Sequence, residues 1–311
     1  MSTGKRSTRR HWFAFLLAAT FATVATTQAV DIVRDTWQDG ERDTPAAPTY
    51  SENGVDGDND TDIESAWFNG GNGGLFPSTG HLVMSNATTS STWTTYFTPE
   101  ASPITLASAG DQLKLTWVFT PTGVNANNTS QNFRLALVDS PSAARISTDV
   151  SPGSALYTGY SMFMNMGQTL GNSNPYQLRE FVTTSSAFLS ASGAWTALAN
   201  GASSGNTGYA SGTEYTFVMT LTRTASSELD IVATMTGGNL NGAGFATVSF
   251  TDTTPSGFTY DTFGIRPSDA GTTAAFLDTT LFKVEFIPEP SSVALAAMGI
   301  GVLLAAIRRR R

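Results

Sequence analysis

The stretch DQLKLTWVFT, residues 111–120, alternates apolar and polar side chains at nearly every position. Its apolar residues at odd positions are Leu113, Leu115, Trp117 and Phe119. Successive side chains of a β-strand point to opposite faces, so a period of two places these four on one face. The stretch predicts a strand that buries one face in a core.

The same alternation returns in residues 214–222 and 229–235, on either side of the polar segment 223–227. Two alternating runs joined by a short polar turn predict an antiparallel hairpin. The residues on the apolar faces of the two runs are Tyr215, Phe217, Met219, Leu221, Leu229, Ile231, Ala233 and Met235.

Ten or more short strands, separated by loops rich in Gly, Ser, Asn and Thr, are typical of an antiparallel β-sandwich. The sequence therefore predicts an all-β fold with a single β-sandwich over residues 30–286. The number of strands favours a jelly roll, and the domain is similar to the concanavalin-like jelly rolls of secreted bacterial proteins. In jelly rolls of this kind the first and last strands pair, so we expect residues 31–42 to pair with residues 277–282. Further strands are predicted near 81–86, 92–97, 131–138, 158–166, 177–183, 245–251, 259–265 and 282–286.

Residues 1–29 have the anatomy of a secretory signal peptide. Four basic residues within positions 5–10 precede an apolar run over residues 12–25, and a small-residue site ends at Ala29. We expect cleavage after Ala29 and export of the protein. The alternative is an uncleaved membrane anchor.

The charge of the central domain differs from that of the whole chain. Without the four basic residues near each end, the chain keeps 9 basic residues against 25 acidic residues, of which Glu289 lies in the tail, a formal charge of −16 rather than −8. Such a domain does not bind nucleic acid by neutralising phosphates. The chain has no cysteine, which excludes thiolate metal sites and cysteine nucleophiles. Beyond residue 29 the one histidine is His81, which excludes multi-histidine metal sites.

Residues 287–311 combine a Pro-Glu-Pro motif, an apolar segment and a terminal arginine cluster. The segment 293–307 is apolar or glycine throughout and would span about 22 Å as a helix, against about 30 Å of hydrocarbon. We expect a short transmembrane helix that holds the protein transiently, with the arginines on the cytoplasmic side. The motif and the arginine cluster are Pro288, Glu289, Pro290, Arg308, Arg309, Arg310 and Arg311.

This order of elements at the C-terminus resembles the PEP-CTERM sorting signal of Gram-negative bacteria. In that family an exosortase, an integral membrane transpeptidase, recognises the tail of an exported protein, often alongside exopolysaccharide production. The resemblance covers about 25 residues, 287–311. It implies an exosortase-type partner, processing near the motif, brief anchoring in the inner membrane and then a location at the cell surface or outside the cell. The alternative is a generic tail anchor.

Residues 56–64, DGDNDTDIE, carry carboxylates at alternate positions. Tight loops with such spacing direct successive oxygens at one calcium ion. The match to an EF-hand is incomplete, because Thr61 replaces the glycine and Trp67 replaces the last glutamate. The alternative is a solvated acidic loop that binds no metal. The sequence therefore requires no cofactor, and Ca²⁺ is the candidate ligand of this loop. The candidate ligands are Asp56, Asp58, Asp60 and Asp62, with a second candidate position between the terminal strands at Asp35, Asp39 or Asp278.

Catalytic motifs are incomplete in this sequence. Residues 228–233, ELDIVA, approach the catalytic strand of family 16 glycoside hydrolases, but Ala233 or Thr234 stands where the last glutamate is needed. His81 lacks the Gly-x-Ser-x-Gly motif of a serine triad. The glycine-rich residues 70–74 lack the Lys-Ser/Thr of a phosphate loop, and we expect them to form a flexible loop.

Trp67 and Trp195 lie beside Gly- and Ser-rich segments and are the candidates for stacking on sugar rings, core packing being the alternative. The sequence thus predicts an exported, non-enzymatic protein of the cell surface or extracellular matrix that binds exopolysaccharide. One alternative is a secreted carbohydrate-active enzyme with an unrecognised carboxylate pair. The other is a structural matrix protein.

Overall fold

The computed structural model describes residues 28–42, 50–86 and 89–289. Within these ranges the chain forms nineteen β-strands and three single 3₁₀ turns, at Ser142–Ala144, Ser192–Ala194 and Leu240–Gly242. The strands are β1 (Val30–Asp35), β2 (Trp67–Gly71), β3 (Gly74–Ser78), β4 (His81–Ser85), β5 (Ser91–Tyr96), β6 (Ile104–Thr105), β7 (Gln112–Thr122), β8 (Phe133–Asp139), β9 (Ser154–Ala155), β10 (Thr158–Met164), β11 (Tyr176–Phe181), β12 (Ser186–Ala187), β13 (Trp195–Asn200), β14 (Tyr215–Ala225), β15 (Glu228–Thr236), β16 (Phe245–Asp252), β17 (Thr259–Tyr260), β18 (Thr262–Pro267) and β19 (Phe276–Ile287).

Two antiparallel sheets contain most of these strands. Sheet A has the order β16-β15-β14-β7-β19-β4-β3, and β1 also pairs with β19. Sheet B has the order β13-β11-β10-β8-β18-β5-β2. Two small ribbons, β9 with β12 and β6 with β17, complete the pairing among the described strands. The all-β antiparallel sandwich predicted from the sequence is confirmed.

The alternating stretch 111–120 forms the core of sheet A. It lies in β7, between β14 and β19, and its four odd-numbered apolar side chains are fully buried. The aromatic rings of the two sheets meet across the sandwich: Trp117 of sheet A lies 6.4 Å from Phe263 of sheet B, centroid to centroid. The predicted hairpin is also present, with β14 paired to β15 from Thr216 opposite Thr236 to Ala225 opposite Glu228.

The first and last strands pair, but further along the chain than predicted. Asp35 lies opposite Phe282 and Val30 opposite Phe286, so β1 pairs with residues 282–286. Residues 277–279 pair with β4 instead. Because β4 occupies the edge beside the start of β19, β1 is left with the second half of that strand.

The glycine-rich segment 70–74 is not the loop that the sequence predicts. Gly71 ends β2 in sheet B and Gly74 begins β3 in sheet A, so the segment carries the chain from one sheet to the other. Gly71 has a φ of +96°, and a Cβ built there would lie 2.4 Å from the carbonyl oxygen of Ser90. The glycines therefore permit a close crossing between the two layers.

Sheet B is also covered on its outer face. A second apolar cluster forms there from side chains that alternate with those of the main core, and Phe188 and Leu189 of the segment 182–194 pack onto it. Its further members are Ala136, Val138, Ala144, Tyr157, Phe163, Phe181, Ala194 and Trp195.

Candidate metal centre

The loop between β1 and β2 brings three of the predicted calcium ligands together. One carboxylate oxygen from each of Asp56, Asp58 and Asp60 lies within 4.8 Å of the others. The loop is folded by its own carboxylates, since Asp56 accepts the N–H of Asn59 at 2.6 Å and of Thr61 at 3.1 Å. Short aspartate-backbone bonds of this kind replace regular secondary structure in tight turns.

The fourth predicted ligand, Asp62, has another role. Its carboxylate accepts the backbone N–H of Thr36 at 2.6 Å and the hydroxyl of Thr36 at 2.7 Å, and it also accepts a side-chain N–H of Gln38 at 3.1 Å. The side chain is fully buried. Asp62 therefore ties the acidic loop to the end of β1 and lies outside the group of three.

Asp35 anchors the same loop from the strand side. Its carboxylate accepts the N–H of Trp37 at 2.8 Å, the N–H of Ser65 at 2.9 Å and a short hydrogen bond from the Ser65 hydroxyl. Burial raises the pKa of Asp35 to about 7, although these hydrogen bonds favour the charged form. Asp35 is thus satisfied by protein donors. Asp278, the other strand candidate, contacts His81 at 3.0 Å instead.

Glu64 is the carboxylate at this site that has no partner. Its side chain is 4% exposed, and neither of its carboxylate oxygens has a hydrogen-bond partner among the described residues. One oxygen of Asp60, Oδ2, is also buried and unpartnered. Burial, followed by the negative charges of Asp39 and Asp58, raises the pKa of Glu64 to about 9. We call the four loop carboxylates Asp56, Asp58, Asp60 and Glu64 the acidic cluster: the three aspartates meet at one point, and Glu64 is buried in the same loop, where the charge of Asp58 acts on it.

The acidic cluster has the chemistry of a hard-cation site. A buried carboxylate is costly unless it is paired, protonated or bound to a metal. Calcium prefers six to eight oxygen ligands, which carboxylates and backbone carbonyls supply in flexible loops. Glu64 was not chosen from the sequence because the EF-hand spacing places the last ligand at Trp67. The alternation of acids from Asp56 onward does, however, continue to Glu64.

The two predicted sugar-stacking residues are buried, and that prediction is wrong. Trp67 is 1% exposed and packs edge-on against Phe282 with ring centroids 5.1 Å apart. Trp195 is 3% exposed and packs against Phe181 at 5.2 Å. Each tryptophan begins a strand and turns into an apolar cluster, so the polar residues beside it in sequence do not expose it.

Two surface cavities lie outside the acidic cluster. A cavity of about 420 Å³ includes Tyr50, Glu100 and Arg145 in its lining. A second, of about 460 Å³, lies over β15 and β16 and includes Asp230 in its lining. Each cavity is lined by one carboxylate, whereas glycoside hydrolysis uses a pair.

The sorting motif begins where the last strand ends. Ile287 is the final residue of β19, and the backbone N–H of Glu289 donates to Asp111 Oδ1 at 2.9 Å. Pro290, Arg308–Arg311 and the predicted signal peptide up to residue 27 lie outside the described residues. In the part of the chain that the structure describes, no helix is long and apolar enough to cross a membrane.

Comparison with solved structures gives only distant likenesses. The carbohydrate recognition domain of Emp47p is 14% identical, covers 79% of this chain and 99% of its own, and has a TM-score of 0.42. A seed lectin of Lotus tetragonolobus is 10% identical, with coverages of 72% and 94% and a TM-score of 0.40. Arcelin-5 from Phaseolus vulgaris is 13% identical, with coverages of 71% and 92% and a TM-score of 0.34.

Comparison by sequence is informative at the C-terminus alone. No curated protein matches the chain. The family model described as the PEP-CTERM protein-sorting motif matches residues 286–311. This match confirms the resemblance noted in the Pro-Glu-Pro motif, the apolar segment and the arginines: the chain carries a PEP-CTERM motif, a C-terminal sorting signal of exported proteins.

Proposed function

We propose that this protein is an exported, non-enzymatic component of the cell surface or extracellular matrix that binds calcium and exopolysaccharide. An exosortase-type membrane transpeptidase sorts it. In this proposal residues 1–29 are a cleaved signal peptide and residues 30–286 are the functional domain. Residues 287–311 hold the protein transiently in the inner membrane, with Arg308–Arg311 on the cytoplasmic side.

The observation that carries the calcium part is the unpartnered carboxylate of Glu64. A side chain that is 96% buried, with two oxygens that accept no hydrogen bond, lies among aspartates rather than cations. A divalent cation bound by Asp58, Asp60 and Glu64 would give the Glu64 oxygens the partner that they lack. It would also offset the repulsion between Glu64 and Asp58. Extracellular calcium modules have dissociation constants of roughly 10⁻⁴ to 10⁻³ M, and we assign the same range to this site.

The polysaccharide part is supported by the export route and by the shape of the domain. The sorting signal directs the protein to the surface or matrix, where polysaccharide is abundant. We assign the sandwich to the concanavalin-like jelly rolls, because its neighbouring strands come from distant parts of the chain, as in β7 beside β19 and β8 beside β18. Each of the two cavities has a single carboxylate, which favours binding over hydrolysis.

The calcium test is isothermal titration of the full-length chain with CaCl₂ and with MgCl₂, for the wild type and for Glu64→Gln. Glutamine keeps the size of the side chain but supplies one neutral oxygen ligand. We expect calcium affinity to fall about tenfold or more in Glu64→Gln. Glu214→Gln, at an exposed carboxylate on another loop, is the matched control and should bind calcium like the wild type. Equal calcium affinity in all three proteins would rule out a site at Glu64.

The binding test is a panel of bacterial exopolysaccharides presented to the same chain with calcium and with chelator. Saturable binding to some members supports the proposed function. Loss of that binding in chelator would show that calcium orders the binding surface. Absence of binding to every member under both conditions would leave a structural matrix protein as the better account.

A further inference from the structure

The outer face of sheet B carries arginines that face one another across neighbouring strands. Arg134 of β8 lies directly opposite Arg266 of β18 in the register. On the other side of Arg134, Phe163 of β10 lies opposite it. Arg134 and Arg266 alternate with core residues on their strands, so both project from the outer face. Like charges directly opposite one another destabilise a sheet.

A third arginine, Arg179 of β11, stacks on the same aromatic ring as Arg134. The guanidinium carbon of Arg134 lies 4.5 Å from the centroid of Phe163, and that of Arg179 lies 4.1 Å from the same centroid. Arg134 is 9% exposed and Arg266 is 8% exposed. We call Arg134, Arg179 and Arg266 the arginine cluster.

The hydrogen bonds of the arginine cluster go to neutral oxygens. Arg134 Nη1 donates to the carbonyl oxygens of Leu189 at 2.6 Å and Ser190 at 3.2 Å, and its Nε donates to that of Gln131 at 3.3 Å. Arg179 donates to the side-chain oxygens of Gln131 and Gln177, each at 2.7 Å. Among the described residues, no carboxylate lies within salt-bridge distance of any of the three arginines.

Arg266 is the least satisfied member. Its Nη2 donates to the hydroxyl of Ser90 at 2.7 Å, but its Nε is buried and has no partner among the described residues. Ser90 is exposed, so this end of the cluster opens to the surface. A charged group that is more than nine-tenths buried normally has both a counter-ion and a full set of hydrogen bonds.

A purely structural role accounts for Arg134 and Arg179, whose donors bond oxygens of the domain, but not for Arg266. Arg134 fastens the segment 182–194 to sheet B through two carbonyls, which explains its position. It does not explain why a second arginine lies opposite it in a domain, residues 30–286, with 24 acidic and 9 basic residues. Nor does it explain the unpartnered Nε of Arg266. Three guanidinium groups on one face, with no carboxylate at salt-bridge distance and Asp269 acting on Arg266 only from further away, are an arrangement that recognises an oxyanion.

We propose that the arginine cluster binds the anionic groups of an acidic polysaccharide. The inference deepens the proposed function, on which it rests, by naming the ligand class and the face that binds it. The shared chemistry is a carboxylate or sulfate oxyanion on a sugar. Arg179, beside Phe163, and Arg266, beside Arg134, donate to successive anionic groups of the polymer, because β10 and β8 separate their strands, and Ser90 supplies a hydroxyl beside Arg266.

The test measures binding of the full-length chain to three soluble polymers, each with and without chelator. The polymers are polygalacturonate, which carries carboxylates, dextran sulfate, which carries sulfates, and unmodified dextran, which carries neither. We expect binding to one or both acidic polymers, weakening as NaCl is raised, and none to dextran. The acidic polymer that binds more tightly identifies the anionic group.

The variants are Arg266→Gln and Arg179→Gln, which remove one guanidinium each and leave the carbonyl contacts of Arg134 in place. We expect each to weaken binding of the acidic polymer by roughly 10- to 100-fold. Arg266→Gln should change the melting temperature by no more than about two degrees, whereas Arg179→Gln, which loses two hydrogen bonds to glutamine side chains, should lower it by roughly two to four degrees. Arg223→Gln is the matched control. Arg223 also stacks on a phenylalanine, with its guanidinium carbon 4.1 Å from the Phe258 centroid, but it stands apart from the cluster and bonds only carbonyls.

Three outcomes would overturn the inference. Wild-type affinity in both cluster variants would remove the arginines from the binding site. Equal binding to dextran would show that charge is not recognised, while the proposed polysaccharide function would stand. If no polymer binds, titration with sodium sulfate separates the two proposals. A sulfate-dependent rise in melting temperature that is absent in Arg266→Gln would keep the anion site but reject a polysaccharide ligand, and no difference would reject both.

Discussion

The acidic cluster and the arginine cluster present the same electrostatic problem with opposite signs. In each, a buried titratable side chain with an unpartnered polar atom lies near side chains of the same type: Glu64 near the exposed Asp58, and Arg266 opposite Arg134. The acidic cluster is made by one loop of nine residues, 56–64. The arginine cluster is made by three strands whose arginines are 45 and 87 positions apart in the sequence. One site is therefore a local property of the chain and the other a product of strand register.

The two clusters also differ in how they tolerate the missing counter-ion. Glu64 can take up a proton, and the pKa of about 9 that follows from burial and the neighbouring charges means that it is neutral at pH 7. Burial lowers the pKa of Arg134 only to about 10, so that guanidinium stays charged. Arg134 compensates by donating to carbonyl oxygens, whereas the Glu64 carboxylate has no hydrogen-bond partner among the described residues. The arginine cluster thus contributes hydrogen bonds to the fold through Arg134, whereas the Glu64 carboxylate of the acidic cluster contributes none.

The largest expected effect on the free energy of unfolding comes from removing the contacts of Arg134. Arg134→Ala deletes the contacts to Leu189, Ser190 and Phe163, and we expect it to lower the free energy of unfolding by about 2 to 4 kcal/mol. Glu64→Gln in chelator should change it by less than about 0.5 kcal/mol, because glutamine resembles the neutral acid. Urea unfolding followed by tryptophan fluorescence measures both.

Arg134→Met separates the contributions within this first prediction. Methionine keeps an apolar stem on Phe163 but donates no hydrogen bond, so its effect should lie between those of the wild type and Arg134→Ala. A loss in Glu64→Gln as large as that in Arg134→Ala would show that Glu64 has a structural partner and would end the contrast between the two clusters.

Calcium should act on one cluster and not on the other. At a free calcium concentration ten times the dissociation constant, binding stabilises the folded state by about 1.4 kcal/mol. For a domain of this size that is a rise in melting temperature of roughly three to five degrees. We expect Arg266→Gln to show the same rise and Glu64→Gln to show little. Differential scanning calorimetry in calcium and in chelator provides the measurement, and a reduced rise in Arg266→Gln would mean that the two sites are coupled.

The sandwich was predictable because its strands alternate. The apolar residues of β7 recur at every second position, which places them on one face of the strand. All four are buried: Leu113, Leu115, Trp117 and Phe119. The hairpin of β14 and β15 followed from two such runs and a short turn. The glycine-rich segment 70–74 did not follow, because its strands have few side chains to alternate. Its glycines mark a crossing between sheets rather than flexibility.

The candidate sites were predictable only as far as they are local. Asp56, Asp58 and Asp60 were found from their spacing, but burial decides between Asp62, which has donors, and Glu64, which has none. The glycine-rich residues beside Trp67 in the sequence suggested an exposed side chain, but Trp67 is buried. Opposition of Arg134 and Arg266 depends on which strands pair, and no pattern within either strand contains that information.

A third group of charged side chains, around Asp261, contains an arginine as well as carboxylates and therefore tests the comparison. Arg145 lies 3.0 Å from the buried Asp261, and Asp139 lies close to that carboxylate. Burial, followed by the charge of Asp261, raises the pKa of Asp139 to about 6. The folded state then binds more protons than the unfolded state between about pH 4 and pH 6, so this group's contribution to stability falls as the pH rises through that window.

We therefore expect Asp139→Asn to gain stability relative to the wild type as the pH is raised from 4 to 6. Asparagine retains a donor toward Asp261 and does not ionise. Unfolding free energies of the two proteins, measured in urea at half-unit steps of pH, give the difference directly. A constant difference across the window would show that Asp139 does not titrate there.

The smallest effect should come from charges that are fully paired at the surface. Asp149 accepts two hydrogen bonds from Arg42, at 2.9 and 2.7 Å, and one from the N–H of Asn69 at 2.9 Å. The hydrogen bonds from Arg42 lower the pKa of Asp149, so the stability that the pair contributes is present above the ordinary aspartate range and is lost at lower pH. We expect Asp149→Asn to cost roughly 0.5 to 1 kcal/mol at pH 7.

A double-mutant cycle of Asp149→Asn with Arg42→Met isolates the interaction between the two side chains at this pair. Its coupling energy should be smaller than the loss in Arg134→Ala, although Arg42 has a carboxylate partner and Arg134 has none. The reason is that exposed charges are already solvated, while a buried guanidinium depends on every oxygen that the fold gives it. A coupling energy larger than the Arg134→Ala loss would show that a counter-ion matters more than burial for the stability that these arginines contribute.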